Sequence, residues 1–87
     1  MRKEDSMERE IYAGRPYKHF KNKLYYVHSI GRHSENLEMM VTYQAMYPPY
    51  DYYIRPLSMF ASEVDREKYP DVKQKYRFEL FEGLGKE

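Results

Sequence analysis

Residues 17–30 have the sequence YKHFKNKLYYVHSI, and this stretch decides the fold class. Polar and aromatic side chains alternate over residues 17–20, as in a strand with one buried face. Lys21-Asn22-Lys23 is polar enough to turn, and the β-branched and aromatic run of residues 24–30 follows it. The stretch therefore predicts a β-hairpin.

The segments that follow the hairpin are also short and strand-like. After a polar loop over residues 31–38, residues 39–47 suit a longer strand that Pro48-Pro49 must end, because proline cannot donate to a ladder. Three further short elements are predicted, which are a strand at 52–55, one helical turn at 56–60 and a closing strand at 76–80. Parallel crossovers need a dozen or more residues each. The fold class is therefore mainly β, a small antiparallel SH3-like barrel or bent sheet with one short helical turn.

The ends of the chain differ from its middle. Residues 1–14 are highly charged and predict a loosely ordered N-terminal arm, and residues 83–87 predict a tail. Residues 15–82 then form a single β-barrel-like domain, because no linker separates two apolar regions. We expect a monomer or a weak homodimer.

Composition narrows the class of protein. The chain of 87 residues has no cysteine, which argues against a small secreted, disulfide-stapled domain and favours the cytoplasm. No apolar run approaches the length of a membrane span, and no signal peptide begins the chain, so no membrane partner is expected. The formal charge of +1 gives no global field for nucleic acid. Eleven tyrosines without tryptophan favour strands and polar-tipped aromatic contacts.

Four pieces of the sequence, in this order and spacing, resemble one known family. They are Tyr17-Lys18-His19-Phe20-Lys21, Ile30-Gly31-Arg32-His33-Ser34-Glu35, Tyr43-Gln44-Ala45-Met46-Tyr47 and Ile54-Arg55-Pro56-Leu57-Ser58-Met59-Phe60. The stretch from Tyr17 to Phe60 is similar to a small bacterial family known as domain of unknown function 1653. The resemblance implies a compact β-rich fold and brings no known activity.

The sequence departs from the family at two places. The turn after Tyr47, which commonly contains glycine in the family, is Pro48-Pro49-Tyr50-Asp51 here. The aromatic residue before the Arg-Pro pair, commonly tryptophan, is Tyr53. Any stacking role carried over from the family would rest on that smaller ring.

Arg55 leads the candidate binding residues. Pro56 forces an extended backbone at Arg55, and a guanidinium binds carboxylate or phosphate in a bidentate manner. Arg55 could instead form an internal ion pair with Glu35. The candidate ligand site comprises His33, Ser34, Glu35, Tyr43, Tyr53 and Arg55. The leading hypothesis is a non-catalytic binding or accessory domain for a small anionic ligand, a peptide or a protein partner.

An alternative set of residues would serve single-stranded nucleic acid. Basic groups interleaved with aromatic ones suit sequence-tolerant binding of single strands. These basic groups are Arg15, Lys18, His19, Lys21 and Lys23. Acidic residues elsewhere in the chain and the low net charge make this function the second choice.

The sequence supports an enzyme or a metal site less well than it supports a binding domain. Neighbouring side chains in extended backbone point to opposite faces, so His33, Ser34 and Glu35 cannot act together as a catalytic triad. His33 and Glu35 could share a face with His19 or His28 as zinc ligands, but no recognised metal-ligand spacing is present. No catalytic residue, metal or cofactor is predicted, and a binding domain is favoured over an enzyme.

Overall fold

Five antiparallel strands form one sheet in the computed structural model, which describes residues 9–83. The strands are β1 (Arg15–His19), β2 (Lys23–Arg32), β3 (Met39–Ala45), β4 (Tyr52–Pro56) and β5 (Phe78–Leu80), and a short helix, α1 (Leu57–Phe60), follows β4. Their order across the sheet is β4-β3-β2-β1-β5. The predicted mainly-β antiparallel class and the single helical turn are confirmed.

The predicted hairpin joins β1 to β2 through a tight turn. Asn22 takes a positive φ of 68°, which asparagine tolerates better than most residues, and its N–H donates to the His19 carbonyl at 2.8 Å. This turn places His19 opposite Lys23 and Tyr17 opposite Tyr25. The hairpin register therefore fixes which side chains of β1 and β2 share a face.

A β-bulge interrupts the alternation of β2. Val27 lies opposite Tyr43 while Ser29 lies opposite Thr42, so His28 is the extra residue on its strand. The bulge lets Val27 and Ile30 both pack on the core although they are three residues apart. His28 and Ser29 are both exposed.

The core lies on one side of the sheet, here called the inner face. Tyr17, Val27, Val41 and Tyr43 supply its strand side chains, and all four are buried. Phe60 of α1 and Phe78 of β5 complete the core, and their rings stack at a centroid distance of 4.1 Å. The opposite side, the outer face, carries Tyr52, which stacks on His28.

The sheet is not closed into a barrel, so the SH3-like barrel prediction is not supported. Closure would require the end strands β4 and β5 to pair, whereas β5 pairs with β1 and has only three residues. The stacked rings of Phe60 and Phe78 fill the space between the two ends of the sheet. This side-chain packing and the isolated backbone bridge between Glu63 and Tyr76 link the chain after β4 to the chain before β5, where a barrel would pair its end strands.

Part of the predicted N-terminal arm contacts the core. The Arg9 guanidinium donates to the carbonyls of Ala61 at 2.9 Å and Phe78 at 2.6 Å, and Ile11 belongs to the core cluster. Residues 1–8 of the arm and 84–87 of the tail lie outside the described residues, and the domain limits stay a prediction. Within residues 9–83, no helix has the length and apolar character needed to cross a membrane.

Removing the Phe78 ring should cost far more stability than removing an exposed ring. Phe78 is 2% exposed and Tyr52 is 63% exposed. We expect Phe78→Ala to lower the free energy of unfolding by about 3–5 kcal/mol and Tyr52→Ala by less than about 1 kcal/mol. Urea unfolding followed by circular dichroism measures both. Equal losses for the two variants would contradict this description of the core.

Candidate functional site

Five polar or aromatic side chains meet on the inner face between β1 and β4. They are His19, Tyr25, Tyr43, Tyr53 and Arg55, and we call them the inner-face cluster. The Phe78 ring lies beneath them, within 5.6 Å of the rings of His19, Tyr25 and Tyr43. The buried core therefore supports a group of side chains that carry hydrogen-bonding tips.

Arg55 is the charged member of the cluster. Its place in β4 opposite Val41, just before Pro56, directs its side chain over the inner face. Its Nε donates to the Tyr43 hydroxyl at 3.0 Å, and its guanidinium carbon lies 5.9 Å from the centre of the Phe78 ring. Tyr43 and Phe78 thus fix the guanidinium plane.

The tyrosines form one wall of the cluster. Tyr43 and Tyr53 stack at 5.5 Å, and Tyr25 meets Tyr53 edge-on at 6.1 Å. The hydroxyls of Tyr25 and Tyr47 are hydrogen-bonded at 2.5 Å. Burial, and then the Tyr47 hydroxyl, raise the pKa of Tyr25, so this phenol stays neutral at pH 7 and can donate a hydrogen bond.

His19 is the histidine of the cluster, and its pKa is strongly lowered. Its ring stacks on Phe20 at 4.4 Å, and its Nδ1 accepts the Lys21 backbone N–H at 3.1 Å. Burial and the positive charges of Lys21, Arg55 and Arg77 lower its pKa to about 4. At pH 7 the ring is therefore neutral, with its proton on Nε2 because Nδ1 is an acceptor.

Positive charge dominates the surroundings of His19. Lys21, Arg55 and Arg77 all act on its pKa in the same direction. On the far side of the cluster, partial loss of water and then the Asp51 carboxylate raise the pKa of the half-exposed Tyr53. An anion placed between Arg55 and His19 would meet cations, neutral donors and aromatic rings.

The structure divides the predicted ligand residues into two groups. Tyr43, Tyr53 and Arg55 come together in the inner-face cluster. His33, Ser34 and Glu35 lie exposed in the turn between β2 and β3. There the His33 Nδ1 accepts the Glu35 backbone N–H at 3.1 Å, and the His33 N–H donates to the Glu38 carbonyl at 2.7 Å.

Arg55 has no carboxylate partner in the described part of the chain. Among residues 9–83, the one ion pair within 4.0 Å joins Arg15 to Glu82 at 3.9 Å. The ion pair between Arg55 and Glu35 that the sequence suggested is therefore not formed. Within residues 9–83, the hydrogen bond of the guanidinium uses Nε, and neither Nη group has a partner there.

The basic residues of the nucleic-acid alternative do not share one surface. Lys18 and His19 are neighbours in β1 and so face opposite sides of the sheet. Arg15 lies at the other end of β1, where it pairs with Glu82. Lys21 and Lys23 flank the turn, and the Lys23 ammonium lies 4.7 Å from the Tyr47 ring centre.

No metal-ligand group is present in the described chain. Residues 9–83 contain no cluster of three or more histidine, aspartate or glutamate side chains able to hold an ion. His28, one of the possible zinc ligands, instead hydrogen-bonds to the Gln44 side chain at 2.8 Å on the outer face.

The candidate ligand site predicted from the sequence did not include Tyr25, Tyr47 or Arg77, and His19 was assigned to the nucleic-acid alternative. The signal for His19 and Tyr25 was present in the hairpin. A turn centred on Lys21 and Asn22 puts His19 and Tyr25 on the face that carries Tyr17. Arg77 carried no such signal, because its position depends on a contact between distant segments, in which its N–H donates to the Ser62 carbonyl.

The lowered pKa of His19 predicts a pH-dependent stability. Because its folded pKa of about 4 lies below the ordinary histidine value of 6.5, the unfolded state takes up the proton first as the pH falls. The stabilisation should be complete above pH 6.5 and be lost progressively as the pH falls towards 4. NMR titration of the His19 ring and urea unfolding across this range measure it. Titration of His19 near 6.5, or an unchanged profile in His19→Phe, would contradict the prediction.

Comparison with known proteins agrees with the resemblance noted in the sequence. Residues 15–80 match a family described as "Protein of unknown function (DUF1653)". No curated protein and no solved structure is significantly similar to the chain. The match runs from the first residue of β1 to the last residue of β5 and so takes in every strand of the sheet. The chain therefore belongs to this DUF1653 family.

Proposed function

We propose that the domain binds a small anionic group, such as a carboxylate or a phosphate, at the inner-face cluster. Arg55 would supply the bidentate contact, His19 and the tyrosine hydroxyls would donate further hydrogen bonds, and the rings of Tyr25 and Tyr53 would flank the ligand. This is a binding or accessory role, and no step of it requires a nucleophile or a cofactor.

One observation carries the proposal. Arg55 is half-buried and held in place by Tyr43, yet no carboxylate of residues 9–83 lies within 4.0 Å of it. A partly buried guanidinium is normally paired, because removing its hydration costs free energy unless an anion replaces the water. An exogenous anion would provide that partner.

Three features of the site favour an anion over a cation or a neutral ligand. Lys21 and Arg77, together with Arg55, place positive charge around His19. His19 is neutral, so it can donate from Nε2 without adding a charge that must be desolvated. Burial raises the pKa of Tyr25, so its hydroxyl stays protonated and can also donate. Charge and hydrogen-bond donors therefore converge on the same space.

No observation favours the nucleic-acid alternative to the same degree. Its basic residues lie on both faces of the sheet and at both ends of β1. It remains a separate hypothesis with a distinct signature, which is a steep fall of affinity with salt along a long basic surface. The cytoplasmic location and the bacterial source suggested by the sequence also remain expectations.

Arg55→Met should weaken the binding of small anions while leaving the fold in place. We expect titration of the ¹⁵N-labelled protein with phosphate, sulfate and citrate to shift the amides of residues 19–23 and 53–55. A bound anion offsets the local cations, so it should also raise the pKa of His19 towards its ordinary value. Affinity should fall about tenfold or more in Arg55→Met.

Arg15→Met is the matched control. It removes the same charge from a solvent-exposed position at the other end of β1 and should leave the affinity within about twofold. Equal losses in the two variants would indicate a non-specific charge effect and contradict the site. Absence of any shift with all three anions would contradict the proposed function as a whole.

A further inference from the structure

Strand β4 is an open edge of the sheet. It is the terminal strand in the order, and among residues 9–83 no strand pairs with its outer side. The side chains of Tyr52 and Ile54 are 63% and 67% exposed. Edge strands of soluble proteins are usually protected by lysines, prolines in mid-strand, bulges or a covering segment. The inward-facing charge of Arg55 and the proline at position 56 protect the end of β4, whereas the exposed positions Tyr52 and Ile54 have none of these devices.

The hydrogen-bond pattern shows which backbone groups face outwards. The Ala45 N–H donates to the Asp51 carbonyl at 2.9 Å, and Tyr43 lies opposite Tyr53 in the same register. Because bonding alternates along an antiparallel pair, Tyr53 and Arg55 bond to β3. The N–H and C=O groups of Tyr52 and Ile54 therefore point away from the sheet, ready to pair with another strand.

The same strand carries the charged residue of the inner-face cluster. Arg55 and Tyr53 project onto the inner face, whereas Tyr52 lies on the outer face against His28. An added strand would place its own alternate side chains beside Tyr53 and Arg55, since directly opposite residues have Cβ atoms about 4.5–5.5 Å apart. The Arg55 guanidinium, which has no carboxylate within 4.0 Å among residues 9–83, makes a negative side chain the complementary one there.

We propose that β4 captures an extended acidic peptide as an additional antiparallel strand, with a carboxylate of the peptide bound by Arg55. This inference rests on the proposed function, because it makes the peptide carboxylate the anion of the inner-face cluster. The geometry specifies an acidic-apolar-aromatic sequence. The acidic residue lies opposite Arg55, the apolar residue opposite Ile54, and the aromatic residue opposite Tyr53.

The alternation of hydrogen bonds along the pair also determines which peptide N–H groups bond to β4. The apolar residue opposite Ile54 exchanges both backbone hydrogen bonds with it, whereas the aromatic residue after it directs its N–H away from β4. Methylation of the first nitrogen should block pairing, and methylation of the second should not. This difference separates strand addition from simple binding of a charged side chain.

The test uses the capped peptide Thr-Val-Glu-Ile-Tyr-Val-Thr and the full chain. We expect saturable binding by isothermal titration calorimetry, with amide shifts along β4. Replacing the peptide glutamate by glutamine should weaken binding about tenfold or more, because the charged hydrogen bond to Arg55 is lost. N-methylation at the peptide isoleucine should abolish binding, and N-methylation at its tyrosine should leave the affinity within about threefold.

An edge variant separates this inference from the proposed function. Ile54→Pro removes the outward N–H at a position where an edge strand tolerates proline. It should lose the peptide while still binding phosphate through Arg55. Its phosphate response also reports that the variant is folded, and Arg55→Met should lose both ligands.

Several results would overturn the inference. Equal affinity for the glutamate and glutamine peptides would remove the role of Arg55, and equal loss from both N-methyl peptides would remove strand addition. A free protein that sediments as a dimer paired through β4 would show that a second copy occupies the edge. Phosphate binding without any peptide binding would overturn this inference alone. If the unmodified chain binds neither phosphate nor the peptide, the proposed function is overturned too.

Discussion

The stack of Phe60 on Phe78 joins the two ends of the sheet, and the rest of the structure depends on it. Phe60 follows the edge strand β4 through a single helical turn, and Phe78 begins the opposite edge strand β5. Their contact lies beside a short backbone pairing of residues 62–64 with residues 75–77, in which the Arg77 N–H donates to the Ser62 carbonyl. The Arg9 guanidinium reinforces this junction by donating to carbonyls on both sides of it. A sheet that would otherwise be open thereby gains a closed hydrophobic interior with few strands.

The same stack explains why a polar cluster can form beside the core. Phe78 contacts His19, Tyr25 and Tyr43, so it replaces water beneath them and fixes their rings. Once the rings are fixed, the Tyr43 hydroxyl can orient Arg55. The lowered pKa of His19 has the same origin, because burial is its main cause and the neighbouring cations add to it. The packing of the site and the burial of His19 therefore depend on the Phe78 ring.

Local pattern was sufficient to predict much of this fold. Polar-aromatic alternation and a polar turn located the first hairpin, and the Arg-Pro pair located both the end of β4 and the start of α1. The barrel was predicted wrongly because closure depends on which distant strands pair. β5 pairs with β1 through only three residues, and no short-range signal distinguishes that partner from β4. The predicted ligand residues fall into two separate groups for a similar reason. His33 is adjacent in sequence to strand β2, but it lies beyond the last pairing of β2 with β3.

The bulge at His28 has a consequence for comparing this chain with its relatives. Tyr25 and Val27 are two residues apart and both face inwards. Ile30 is three residues after Val27, and it also faces inwards because the extra residue in the bulge shifts the alternation. A relative with one residue fewer at this position would have an uninterrupted ladder and an unchanged set of inward side chains. An alignment of the family should therefore tolerate a single-residue gap at His28 better than at any other point of β2. Length variation there would reflect the geometry of the sheet and carry no information about the ligand.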